Sequence, residues 1–247
     1  MWDDAKALAA LAATLGGMAA VAVAAAAVLW LARQPLFAIR EVVVTTPVAR
    51  ASAPHLEAVI RDELAGTFFT MDLDATRRAI GAVPWVRSVG VRRQWPHRLE
   101  IAIEEHQPLA RWNDTGLVNA GGETFAATYA GPLPQFRGPE HYARDVAQRH
   151  AEWTALFAPL GFVVAEVAVS ARGAWRVRAD GPSGPLVVEL GRDDPSGRLA
   201  RFVAAYGRTI GALARQGARV EHVDLRYRNG FAARVPGLRE APAKPGA

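Results

Sequence analysis

Residues 7–32 read ALAALAATLGGMAAVAVAAAAVLWLA, a run without a charged side chain that Lys6 and Arg33 close at its two ends. About 20 apolar residues suffice to cross the hydrocarbon core of a bilayer as a helix, which also satisfies its own backbone hydrogen bonds. Trp30 lies near one end, where amphipathic rings prefer the interface. The run therefore predicts a transmembrane helix after a short head, residues 1–6, with a folded body on one side.

Two other interpretations of this run are weaker. A cleaved signal peptide has a basic start and an apolar core of about 7–15 residues, whereas this head carries Asp3 and Asp4 and the run is longer. A buried helix would need a large body to cover it on every side. The sequence does not decide on which side of the membrane the body lies. A cytoplasmic body is favoured by the basic residues after the run, Arg33, Arg40 and Arg50, but long domains translocate largely regardless of charge.

The composition and the motifs of the chain argue against several kinds of binding and catalytic site. The formal charge is +5, and basic residues alternate with acidic ones without a Lys/Arg block, so we expect no nucleic-acid partner. Cysteine is absent, which excludes disulfides, thiolate zinc sites and a cysteine nucleophile. The histidines show no metal spacing, and no nucleophile elbow, phosphate loop or dinucleotide fingerprint is present. Ser52, Ser196, Asp193 and Asp194 fall at predicted helix starts, where capping explains them. We expect no cofactor, no metal and no catalytic residues.

The first part of the body predicts a small domain. Residues 37–46 are rich in β-branched side chains and predict a strand. A helix that begins after Ser52 and a second one that Asp72 caps and Gly81 ends should follow. The first of these helices is indicated by apolar side chains at helical spacing, which are Leu56, Val59, Ile60 and Leu64.

Two further strands, residues 85–93 and 98–104, flank a predicted turn at residues 94–97. The second strand alternates strictly, and its buried face should carry Leu99, Ile101 and Ile103. The order strand, helix, helix, strand, strand predicts a mixed sheet covered on one face by two helices.

Three short segments here carry a family resemblance: VPWV at residues 83–86, WPHRL at 95–99 and EEHQP at 104–108. The region from Phe37 to Gln107 resembles a POTRA domain, a β-α-α-β-β unit, placed directly after a membrane anchor. A short head, one span, a POTRA domain and a β-rich domain together resemble the FtsQ/DivIB family of bacterial cell-division proteins. The resemblance covers nearly the whole chain.

The second part of the body is predicted to be rich in β-structure. Short strands are indicated at residues 109–112, in a hairpin at 116–125, and at three segments further on, 162–169, 174–179 and 186–190. Residues 133–139 also resemble the family. A helix in between is marked by one apolar face, formed by Val146, Trp153, Leu156 and Phe157.

The C-terminal end predicts one helix and one hairpin. Asp194 and Pro195 open the helix, whose apolar stripe is Leu199, Phe202, Val203, Tyr206, Ile210 and Leu213. Residues 220–227 and 231–235 predict two strands joined by a tight Asn229–Gly230 turn.

A small open sheet leaves an edge that a partner can extend by adding a strand. The resemblance implies that the C-terminal domain holds the coiled-coil proteins FtsB and FtsL in this way. The matching residues are Arg198, Arg201, Phe202, Leu225, Arg226, Tyr227, Asn229, Gly230, Phe231 and Val235. Arg226 and Tyr227 correspond to positions that the family uses for FtsB contact, whereas Val235 stands where a well-known member has an aromatic residue.

Four of the conspicuous side chains have more than one interpretation. Tyr227 either contacts a partner or packs beside Val223 and Leu225. Trp85 and Trp95 are expected to pack in the core or a turn, and Arg198 is expected to be a solvated helix residue unless a partner places acids opposite it.

The sequence thus predicts an α+β protein with these parts: a short head (1–6), which the resemblance places in the cytoplasm, a transmembrane helix (7–32), a POTRA domain (37–106), a β-rich domain with an open sheet and flanking helices (107–237), and a disordered tail (238–247). The resemblance implies a non-catalytic scaffold of the division complex in the inner membrane, with a periplasmic body that recruits FtsB, FtsL and other division proteins. The alternatives are a membrane-tethered periplasmic cell-wall enzyme and a POTRA chaperone or export module.

Overall fold

The computed structural model describes residues 5–63, 66–227 and 230–236. The start of the predicted head, Leu64 of the predicted helix, Asn229 and the predicted disordered tail lie outside the described residues. The chain divides into two compact units, Met1–His106 and Gln107–Ala247.

Helix α1, Ala5–Ala32, opens the first unit. Its segment Leu8–Ala32 has a mean hydropathy of 2.1, and none of it is buried against the rest of the protein. It is the one helix in the described residues that is long and apolar enough to cross a membrane.

The rest of the first unit is a three-stranded sheet with two helices. The elements are β1 (Glu41–Val44), α2 (Ala53–Glu63), α3 (Leu73–Gly81), β2 (Val86–Gln94) and β3 (Arg98–Glu105). The central strand β3 runs parallel to β1 and antiparallel to β2, as the predicted mixed sheet requires.

One face of this sheet is buried under the helices. Leu99, Ile101 and Ile103 of β3 are buried as predicted, and they share a core with Leu56 and Ile60 of α2, among others. Alternation decides the face because successive side chains of a strand point to opposite sides.

Capping fixes the start of α3. The Asp72 carboxylate accepts hydrogen bonds from the backbone N–H groups of Asp74 and Ala75, which satisfies two donors that a helix start leaves unpaired. These bonds hold the pKa of Asp72 below its usual value.

The prediction of a strand over residues 37–46 is only partly correct. Pro35–Phe37 form a 3₁₀ turn, Ala38 makes a single bridge to Thr67, and β1 covers only Glu41–Val44. Pro35 presets the backbone angle φ for the turn, and the Phe37 ring then packs on Phe69 at 5.1 Å.

The segment before α2 is held by a single carboxylate. Glu105 at the end of β3 accepts hydrogen bonds from the backbone N–H groups of Ala49, Arg50 and Ala51, at 3.1, 2.8 and 2.6 Å. Partial burial alone would raise the pKa of Glu105, but these three donors bring it below its usual value.

We therefore expect Glu105→Gln to destabilise the first unit by about 2 kcal/mol at neutral pH, because charge-assisted hydrogen bonds are lost. A carboxyl whose pKa is lowered by folding stabilises above its unfolded pKa and loses that contribution as the pH falls through its folded pKa. Hydrogen exchange of the α2 amides between about pH 3 and pH 7 measures both effects. Glu104→Gln at the neighbouring exposed position is the control, and an equal loss there would contradict the assignment.

The second unit is built on a nine-stranded mixed sheet of order β12-β11-β10-β9-β8-β7-β4-β5-β6. Its strands are β4 (Pro108–Trp112), β5 (Gly116–Asn119), β6 (Thr124–Phe125), β7 (Gln135–Arg137), β8 (Val163–Val169), β9 (Trp175–Gly181), β10 (Gly184–Gly191), β11 (His222–Asp224) and β12 (Ala232–Arg234). Its helices are α4 (Ala143–Phe157), α5 (Pro195–Tyr206) and α6 (Ile210–Arg215). Trp153, Phe157 and Phe202 from the helices are buried against the sheet, so the predicted flanking helices are present.

The predicted last helix is two helices. At the end of α5 the N–H of Arg208 donates to the carbonyl of Ala205, and the Thr209 hydroxyl donates to the same carbonyl. Gly207 has a poor helix propensity, and a side-chain hydroxyl competes for a helical acceptor. Tyr206 and Ile210 remain in the core on either side of the break.

The last two strands are also shorter than predicted. The N–H of Leu225 still donates to the carbonyl of Glu189 in β10, but that of Arg226 donates to the Asp224 carboxylate at 3.0 Å. An aspartate that binds the backbone two residues on makes a turn, which ends β11. Since Asp224 pairs with Ala232, seven residues, 225–231, connect the two strands, and the predicted Asn229–Gly230 turn lies partly outside the described residues.

Candidate partner-binding groove

A groove of about 370 Å³ lies between α5 and the connection from β11 to β12. Helix α5 contributes Arg198, Arg201, Phe202 and Ala205, and the connection contributes Leu225, Tyr227, Gly230 and Phe231. Seven of the ten predicted contact residues therefore meet in one place.

Hydrogen bonds fix the start of α5, the helix that forms one wall of the groove. Asp194 caps the helix by accepting a hydrogen bond from the N–H of Gly197, and Pro195 takes the first position, as predicted. Ser196 does not cap: its hydroxyl accepts from Trp153 and Arg149 and donates to Glu152, which joins α5 to α4.

The floor of the groove is apolar and fixed. Phe202 and Leu225 are buried, and the rings of Phe202 and Phe231 meet edge to face at 5.5 Å. Such perpendicular pairs are favoured by the ring quadrupole. The floor of the groove therefore presents an apolar surface.

The rim of the groove is exposed and carries Tyr227. The Tyr227 side chain is 60% exposed, whereas Val223 and Leu225 are buried. Packing beside those two residues is therefore the wrong interpretation for Tyr227. An exposed tyrosine over an apolar floor has the composition of a binding hot spot.

Arg198 is not a simple solvated helix residue. It is half-buried and donates from Nη1 to the carbonyl of Leu190 at the end of β10, at 2.7 Å. Arg201, by contrast, is exposed and lies 3.5 Å from Asp194, a surface pair that adds little stability.

A second, basic groove of about 450 Å³ shares Arg198 with the first. Its other charged lining residues are Arg172, Arg192, Arg226 and Asp193, so cations outnumber anions. The Arg226 guanidinium is held by Asp224, because its Nε and Nη2 donate hydrogen bonds to the Asp224 carboxylate. These bonds lower the pKa of Asp224. Together the two grooves suit a segment with apolar and acidic side chains.

Strand β12 forms one edge of the nine-stranded sheet beside the groove. It pairs with β11 on one side, and Ala232, Ala233 and Arg234 are all exposed. An edge strand offers a row of backbone donors and acceptors to an added strand.

The other predicted contact residues lie nearby or cannot be placed. Arg226 lines the basic groove, and Val235 is half-buried against the core of the second unit. Asn229 lies outside the described residues. Sequence reasoning missed Ala205, which follows Arg201 by four residues on the same face of α5, and it missed Arg172 and Arg192, which nothing in the local pattern distinguishes.

His150 in α4 is half-buried. Burial lowers the pKa of its imidazole, and its ring packs on Phe136 at 5.0 Å.

Among the residues the structure describes, no group of three or more His, Asp or Glu side chains could hold a metal ion.

Comparison with known proteins defines the class of protein. Residues 37–106 match the family model "POTRA domain, FtsQ-type", and residues 110–226 match "Cell division protein FtsQ/DivIB, C-terminal". With the apolar helix, this is a single-pass membrane protein that carries a POTRA domain and a β-rich C-terminal domain.

Relatives named cell division protein FtsQ match most of the chain. The one from Burkholderia pseudomallei is 38% identical over 97% of this chain and 96% of its own length, and the one from Nitrosospira multiformis is 38% identical over 95% and 99%. The one from Escherichia coli is 38% identical over 68% and 61%. The chain belongs to the FtsQ/DivIB family of cell-division proteins, and it has a role in cell division with protein partners in the division complex.

Proposed function

We propose that this protein is a non-catalytic scaffold that captures FtsB and FtsL on the second unit of its body. The observation that carries the proposal is the apolar groove under the exposed Tyr227, which lies beside the edge strand β12. A strand added to β12 would place its side chains along the groove, since backbone pairing gives affinity and side-chain pockets give specificity.

The charge of the site supports a partner with acidic side chains. Arg172, Arg192 and Arg226 line the basic groove, and Arg198 lines both grooves. Complementary charge raises the rate of association and fixes the register of the added strand.

We propose further that the protein lies in the inner membrane with its head in the cytoplasm and its body in the periplasm. The length of the body supports this side despite the arginines after the span, because long domains translocate largely regardless of charge. Since the chain has no cysteine, Val163→Cys can be labelled alone. Labelling by a membrane-impermeant maleimide in intact spheroplasts is expected, and protection until lysis would place the body in the cytoplasm.

Titration of the full chain in nanodiscs with the periplasmic segment of FtsB, alone and with FtsL, tests the capture. We expect Tyr227→Ala to weaken binding by about 30-fold, as for a hot-spot residue. Val163→Ala removes an equally exposed apolar side chain elsewhere in the unit and should leave the affinity unchanged.

Each outcome of the titration has a separate meaning. Binding that survives Tyr227→Ala would keep the partner and reject the groove. No binding to FtsB, alone or with FtsL, would reject the partner assignment.

A further inference from the structure

Four aromatic rings of the first unit form a cluster at its surface, which we call the aromatic platform: Phe37, Phe68, Phe69 and Trp95. Their neighbouring ring centroids lie 5.1 to 6.2 Å apart. Trp95 is 63% exposed and Phe69 51% exposed. Trp95 packs on the other rings at the turn of residues 95–97, and Trp85 packs on the core, so each lies in one of the two predicted settings, a turn or the core. Leu36, next to Phe37, is 69% exposed.

The platform is tied directly to the end of the transmembrane helix. The Thr67 hydroxyl donates to the carbonyl of Ala32, the last residue of α1, at 2.6 Å. The next residue, Phe68, donates its N–H to the carbonyl of Phe37 at 2.7 Å. These contacts therefore bring the rings close to the point where the helix ends.

The length of α1 places that point in the headgroup region. The helix has 28 residues and spans about 42 Å at 1.5 Å per residue. The hydrocarbon core is about 30 Å thick, so the ends of the helix extend into the interface. Tryptophan rings are favoured at this depth, and phenylalanine side chains are common on the apolar face of segments that lie in the interface.

The charges beside the platform fit a lipid surface. Arg33 follows the helix directly, and Arg40 is exposed where its N–H donates to the carbonyl of His97, two residues after Trp95. Basic residues beside a span are attracted to anionic headgroups. An exposed apolar cluster of this kind marks a surface that contacts a protein or a membrane. The bilayer is the apolar phase that lies beside the platform, because the transmembrane helix ends there.

We propose that the aromatic platform docks into the headgroup region of the membrane and holds the first unit of the body against the bilayer. The transmembrane helix and the platform together then fix the distance of the POTRA domain from the bilayer surface. This inference does not depend on the capture of FtsB or FtsL.

Spin labels on the full chain, one copy per nanodisc of phosphatidylethanolamine and phosphatidylglycerol, test the docking. The cysteine-free sequence allows single labels at Phe69→Cys, on the platform, and at Ser88→Cys. Ser88 lies near the far end of the hairpin from Trp95, about 20 Å along β2. The label at 69 is expected to show a several-fold higher ratio of accessibility to oxygen over a water-soluble nickel chelate than the label at 88.

A second substitution separates docking from simple proximity. Trp95→Ser in the Phe69→Cys background should lower the ratio toward that of position 88, and Trp95→Tyr should preserve it. An unchanged spectrum from the label at 88 shows that the unit stays folded. Equal nickel access at the two positions, or a ratio at 69 that Trp95→Ser leaves unchanged, would overturn the proposal. If the label at 69 is protected from the nickel chelate in native membrane vesicles but not in nanodiscs, a protein partner covers the platform. That result would also overturn the proposal.

Discussion

Replacing Trp153 with alanine is expected to lower the free energy of unfolding of the second unit by about 4 kcal/mol. Trp153 is fully buried in α4, and its ring meets that of Trp175 edge to face at 5.8 Å. Its Nε1 also donates to the Ser196 hydroxyl at 3.0 Å. The substitution therefore leaves a large cavity and removes a link between α4 and α5.

Hydrogen exchange of the full chain measures this loss, because a protein of two units does not unfold in one step. Amides of β8 and β9 should exchange about 10³-fold faster, while amides of residues 86–105 serve as an internal reference. Trp153→Phe should recover most of the stability, since it keeps an aromatic ring in the core and loses only the hydrogen bond and part of the ring volume. Val163→Ala removes an exposed apolar side chain from the same unit and is the control. A loss below about 1 kcal/mol in Trp153→Ala would show that the core does not depend on this ring.

The first unit could be predicted from the sequence because its signals are local. The alternation of Leu99, Ile101 and Ile103 fixes the buried face of β3, and Asp72 marks the start of α3. Each signal lies within one element, and neighbouring elements agree with it. The exception is the segment after Pro35, where a turn and a ring contact replace the start of the predicted strand.

The end of the second unit could be predicted only in outline. The apolar stripe from Leu199 to Leu213 is correct as a buried face, but the break after Tyr206 depends on which donor takes the Ala205 carbonyl. In the same way β11 ends because Arg226 binds Asp224, a contact between a backbone N–H and a side chain that has no periodicity. Hydrophobic pattern predicts what is buried, and such polar contacts decide where an element ends.

The groove shows why a site is harder to predict than a fold. Its two walls come from residues 198–205 and 225–231, which no local pattern joins. The family resemblance supplied the residues, and the structure adds that seven of them meet while Tyr227 stays exposed. The contribution of Arg172 comes from the turn between β8 and β9 and arises only from the packing of the sheet.

Proline substitutions in β12 are expected to abolish partner binding without unfolding the protein, at one of two neighbouring positions. Adjacent residues of a strand direct their N–H groups to opposite edges. Of Ala232 and Ala233, one therefore donates toward β11 and the other toward the open edge. Proline removes the N–H in either case, so one variant loses pairing within the sheet and the other loses only the donor that an added strand would use.

The two proline variants are matched controls for each other, because both positions are exposed alanines three residues or fewer from Val235. Thermal unfolding identifies the variant that keeps its midpoint, and titration of that variant with the FtsB segment decides the mechanism. Strand addition requires that the stable variant bind at least about 100-fold more weakly, since the row of backbone bonds is interrupted within a three-residue edge. Normal binding by the stable variant would mean that the partner contacts the groove through side chains alone, and the β12 edge would then have no part in recruitment.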